Sequence, residues 1–176
     1  MKKRDKVTYP IAFLIILSII LSFFLEIKTS LIISISLTLI LAYIFYKEKI
    51  GQELIIAFLI ALIITSYYYY EYTTSNFFIG KINLFPLFSW TLGLVILREI
   101  YERLPKKHSF YISIIIYIII IFLVEYIGYY VLGIKLNSNF PSLLNLGIIH
   151  ASLFLKIVYL LTGPVYLLIT DYLKVK

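Results

Sequence analysis

The stretch Ile118–Val131, IIIIFLVEYIGYYV, decides how this chain is read. It holds one carboxyl group, that of Glu125, among branched aliphatics and aromatic rings. In water it would be a core helix with an acid at an unfavourable place. In a bilayer it is one half of a transmembrane helix, because hydrocarbon is then the solvent and an apolar surface needs no cover. The rest of the chain sides with the bilayer. Of its 176 residues, 62% are hydrophobic and 14% charged, against about a quarter charged in soluble domains. The apolar residues also come in long blocks instead of alternating.

Six such blocks predict six spans: Val7–Leu25, Thr29–Tyr46, Leu54–Tyr70, Ile82–Leu97, Phe110–Leu132 and about His150–Leu173. Most approach the ~20 residues that a helix needs to cross ~30 Å of hydrocarbon. The fourth contains Pro86 and Gly93 and extends into 98–104, where Glu99 and Arg103 stand at i,i+4 spacing for an ion pair. The expected fold class is therefore all-α, a single integral membrane domain of six helices with no room for a soluble one. The basic start resembles that of a signal peptide. The apolar run, however, leaves through Phe23-Phe24-Leu25-Glu26 without a small-residue cleavage pattern, which predicts an uncleaved first span.

Charge sets the orientation. Twelve Lys and Arg fall at the N-terminus, in the second and fourth loops and at the C-terminus; Lys28, Lys81 and Lys135 face the other way. The positive-inside rule then places both termini in the cytoplasm of a cell-membrane protein. The net charge of +7 is accounted for in this way without nucleic acid. Tyrosines gather at both expected interfaces, the run Tyr67–Tyr70 included, and only Tyr117, Tyr159 and Tyr166 fall at mid-depth.

Several chemistries are excluded. With no cysteine, there is no disulfide, thiolate nucleophile or Cys-ligated metal. Two histidines, His108 and His150, do not make a His-rich metal centre. No phosphate-binding loop, HExxH pair, GxSxG elbow or GxGxxG fingerprint occurs. No cofactor and no metal is expected.

The intramembrane polar groups remain. Glu125 lies seven residues inside the end of the fifth span, and Lys156 lies six inside the start of the sixth. At 1.5 Å per residue both sit roughly 10 Å deep on consecutive antiparallel helices. A lone charge at depth costs on the order of 3 kcal/mol. One expectation is thus a Glu125–Lys156 bridge that fixes helix register. A second is a functional polar site in the outer half of the membrane, and a third is that Lys156 snorkels outward along its stem. Glu71, at the outer end of span three, and His150, at the entry of span six, join Glu125 and Lys156 as candidate site residues. Asn83 and Trp90 lie at a similar level, and Gly128 would let a helix or ligand approach the Glu125 face. Gly163-Pro164 should kink the sixth span, and Asp171 could pair with Arg98, Arg103 or Lys174.

Three roles fit. The first is a small transport or solute- or lipid-binding protein built around Glu125. The second is an enzyme using a carboxylate for acid–base chemistry on a lipid or isoprenoid. The third is a structural or assembly subunit in which the bridge acts as packing glue. The expected partner in all three is the lipid bilayer, with a small-molecule or lipid ligand in the first two.

Overall fold

The computed structural model describes residues 8–68, 70–73, 76–137, 140–143, 147 and 149–173, with side chains for all of these except 8–11 and 45–50. The terminal lysines and arginine that carry much of the orientation argument lie outside it.

The described chain is helical apart from one small hairpin. The elements are α1 (Thr8–Ser22), α2 (Ile27–Tyr67), β1 (Phe78–Ile79), β2 (Ile82–Asn83), α3 (Leu84–Arg103), α4 (Ser109–Tyr126) and α5 (Leu153–Tyr172). The strands pair antiparallel around Gly80, whose φ of +61° suits a residue without a Cβ. α4 runs on into a π-helical turn, Ile127–Val131. Four segments are long and apolar enough to cross a membrane: Ile27–Ile44, Leu84–Arg103, Ser109–Val131 and Leu153–Tyr172. This is the architecture of a helical membrane protein. Two of the six expected spans are shorter apolar helices, Ala12–Ser22 and Gly51–Tyr67.

α2 departs from the expected pattern. The loop expected between the second and third spans is absent, and helical structure is unbroken over 41 residues. A straight helix of that length would measure about 61 Å, and the nine residues from Tyr67 to Asn76 reach at most ~32 Å. Yet Lys28 Nζ, at the start of α2, lies 3.4 Å from Asn76 Oδ1. Tyr43 and Leu54 also line one cavity, as do Ser36 and Leu59. The stretch therefore folds back between Tyr43 and Leu54, and its halves lie antiparallel. Lys47, Glu48, Lys49 and Gly51 interrupt the hydrophobic pattern at this point without ending the helix.

The first half of α2 buries small hydroxyls at helical spacing, Ser30, Ser34 and Thr38. Each bonds back to the carbonyl four residues before it, at 3.1, 2.7 and 2.7 Å. Small residues allow close helix packing, and back-bonding leaves no hydroxyl unsatisfied. At one end of the bundle Arg98 is buried and reaches Asp171 at 2.6 Å, Glu102 at 3.3 Å and Glu53 at 3.7 Å. The expected Glu99–Arg103 pair forms at 2.7 Å. At the other end Asn83 caps α3 by accepting from the Phe85 N–H, and its amide donates to Tyr70 O and Asn76 Oδ1, both at 2.9 Å. Two core clusters fill the space between, one around Leu94, Tyr166 and Leu167, the other around Tyr70, Leu155 and Tyr159.

Candidate functional site

The site lies at the Asn83 end, between α3, α4 and α5. A cavity of about 200 Å³ is walled by Pro86, Trp90 and Leu94 on one side and Ile121, Glu125 and Tyr159 on the other. It runs into a second of about 390 Å³ that extends to His150 and reaches Leu14 of α1 and Leu31 of α2. Two glycines keep it open. A Cβ at Gly93 or Gly128 would meet nothing within 4 Å, and both residues line the larger cavity.

Glu125 is half-buried and lines both cavities. Tyr159 shares the lining of both with it. The π-helical turn begins two residues beyond, and such turns recur at functional sites because they redirect side chains. Tyr159 is buried with its ring edge-on to Trp90, the centroids 4.9 Å apart. Tyr72 lines both cavities at the loop end, with its ring 4.1 Å from the ammonium of the buried Lys28. That loop is tied to the one following α4: Tyr72 bridges Leu136, Thr73 N–H donates to Lys135 O, and Asn137 N–H donates to Glu71 O.

The expected Glu125–Lys156 bridge is not made. Lys156 is buried, and its ammonium donates to the backbone oxygens of Pro141 at 2.7 Å and Ser142 at 3.1 Å. It reaches along its stem to the loop before α5. The reason lies in the loop: its carbonyls offer the ammonium full hydrogen bonds in reach of its own helix.

His150 lines the larger cavity and stacks on Tyr129, with centroids 4.3 Å apart and planes at 15°. Its Nδ1 is buried without a partner. Burial first, then Lys156 and Lys135, hold its pKa below the ordinary value. It does not cap α5; Ser152 does, accepting from the Leu155 N–H. The preceding residue, Ile149, is buried at φ +50°, a left-handed conformation uncommon for a β-branched side chain and one held by its packing. Glu71 is exposed and lines neither cavity.

Pro164 lies within α5 and does not end it. The Tyr117 hydroxyl donates to Tyr159 O at 2.5 Å, beside the carbonyl that the proline deprives of its donor. Sequence reasoning named Glu125, His150, Trp90 and Gly128 but missed Gly93, Ser89 and Tyr72 as cavity residues. The mid-depth placement of Tyr117 and Tyr159 was the signal for their part in it. Among the described residues no group of three His, Cys, Asp or Glu could hold a metal.

Comparisons with known proteins add no family: no family model matches the chain, and neither a curated protein nor a solved structure is significantly similar to it.

Proposed function

We propose that the protein is a multi-pass membrane protein that binds a lipophilic solute or lipid in the cavity beside Glu125, and that it serves transport or presentation of that ligand. One observation carries the reading. The carboxyl borders a roomy apolar cavity whose wall it shares with Tyr159, and the lysine that would have neutralised it is engaged elsewhere. Ionisable groups at membrane depth are costly and mark ligand or proton paths. Ligand sites are typically concave, mostly apolar and furnished with a few polar groups.

In this reading the chain crosses the membrane six times and both termini are cytoplasmic, as the lysine and arginine distribution requires. The antiparallel halves of α2 support it, as do the separate polar networks at the two ends of the bundle. The cavity then opens in the outer half of the bilayer. The lipid-modifying enzyme would use the same cavity, with Glu125 as acid and Tyr159 or His150 as its second proton-transfer group. The assembly-subunit reading loses its support with the missing bridge.

The test is equilibrium binding of a panel of radiolabelled apolar solutes and lipids to the full chain in nanodiscs. Saturable binding that Gly93→Phe abolishes, with the melting temperature kept, supports the proposal. Gly93 is suited to this use because added atoms there enter the cavity and not the core. Binding that is unsaturable, or indifferent to Gly93→Phe, refutes it.

A further inference from the structure

The shape and polarity of the larger cavity define its occupant more closely, and this step rests on the binding role just proposed. The cavity is a cleft along α3 and α4. On α3 it extends from Phe85 to Leu97, twelve residues or about 18 Å at 1.5 Å each. One leaflet of a bilayer core is about 15 Å deep. The cleft is therefore as long as a single hydrocarbon chain lying along the membrane normal within one leaflet.

Its polarity is graded. Tyr72, Ser89, Glu125, Tyr129, His150 and Tyr159 stand toward the loop end. Beyond them the walls are Leu14, Leu92, Ile96, Leu97 and Ile120. Tyr117 lies in this deeper part, and its hydroxyl is already spent on Tyr159 O. The cleft also has a side opening. Ile120, Val124 and Ile127 follow one another at i, i+4 and i+7, line the cleft and are exposed at 37%, 61% and 38%. A helix face of that kind puts the rim of the cleft against hydrocarbon, so a chain can enter sideways without passing through water.

The head group follows from the groups that would meet it. Glu125 accepts hydrogen bonds when ionised and repels anions. The Lys156 ammonium is engaged with loop carbonyls, and that of Lys135 stands 4.7 Å over the Tyr129 ring at the mouth. The polar end is thus built to accept from a donor. We propose that the cleft holds a single-chain amphiphile of the adjacent leaflet, aliphatic or isoprenoid, whose head is a hydroxyl or amine donating to Glu125, and not a phosphate ester.

The experiment uses the full chain in nanodiscs of zwitterionic phospholipid and three photoreactive probes. They share one chain, matched to the cleft, and end in an alcohol, a primary amine or a phosphate monoester. The expected result is saturable labelling of α3 or α4 by the alcohol and the amine, at least about tenfold above the phosphate ester. Gly93→Phe should remove it. Glu125→Gln keeps an acceptor but loses the charge, so amine labelling should fall about tenfold and alcohol labelling by less. If the phosphate ester labels as well as the other two, the head-group assignment is overturned while the binding role stands. If no probe labels in a Gly93-sensitive manner, a chain-like occupant is excluded, and the solute panel described above decides the binding role on its own.

Discussion

The ring of Tyr117 lies directly over Gly163, so that a Cβ built at Gly163 would stand 2.7 Å from two of its carbons. Glycine is needed there for closeness, since no unusual φ is involved. Gly163 also precedes Pro164, so the Tyr117 ring of α4 packs where proline interrupts the hydrogen bonding of α5. Gly163→Ala should destabilise the fold by about 1–3 kcal/mol, the usual cost of overpacking. Tyr117→Leu should recover part of that loss in the double variant, because the pair shares one contact. Thermal melts in detergent check both. A Gly163→Ala protein that melts like the parent would show that the contact is not made.

The natural chain contains no cysteine, so a pair can be introduced without background. Lys28→Cys with Asn76→Cys should be joined within one molecule by a short bis-thiol reagent, because the native side chains meet at 3.4 Å. The same reagent should leave Lys28→Cys with Glu53→Cys unlinked, since Glu53 lies at the Arg98 end. If neither pair is linked, α2 is a straight rod, with Lys28 about 37 Å from Glu53 by the rise of the helix and farther still from Asn76.

What could be read from the sequence was what hydropathy and local spacing control. The Glu99–Arg103 pair followed from i,i+4 geometry. The Arg98–Asp171 contact was one of three partners that the shared depth of those residues allowed. The apolar blocks located the long helices. Three features escaped, for physical reasons. The continuity of α2 escaped because a charged, glycine-containing stretch reads as a loop, while helix propensity alone permits it to stay helical. The partner of Lys156 escaped because depth arguments rank side chains and overlook loop carbonyls, which are invisible in composition. The cavity escaped because it is made by absent atoms at Gly93 and Gly128 on different helices, and the register between α3 and α4 is a tertiary property. Glu125 was legible as a question; its answer, a cavity shared with Tyr159 of α5, was not.

His150 gives a pH dependence whose sign is fixed. Burial, Lys156 and Lys135 lower its pKa in the fold from an ordinary value near 6.5. Below that value the unfolded chain binds the proton more readily than the folded one, so stability falls with pH in that window and is unaffected above it. Melting temperature should be level above about pH 7 and decline toward pH 5. His150→Gln should remove much of that decline. An unaltered decline in His150→Gln would place the sensitive group elsewhere.

The separation of Glu125 from Lys156 is open to a double-mutant cycle. Glu125 lines the cavities with Tyr159, and Lys156 holds the loop at Pro141 and Ser142. Side chains without a shared partner contribute independently, and their effects add to within about 0.5 kcal/mol. Glu125→Gln and Lys156→Met should therefore give a coupling energy below that limit, measured by unfolding of single and double variants in one detergent. The two singles should also differ in kind. Lys156→Met should raise protease sensitivity around residues 140–143, since it releases the loop carbonyls. Glu125→Gln should leave that region as it was and act on ligand binding. A bridge between the two would instead produce a coupling well above the limit, with each single variant leaving an uncompensated charge in the membrane interior. Such a coupling would restore the lysine as the neutralising partner, and with it the view that Glu125 serves only to set helix register.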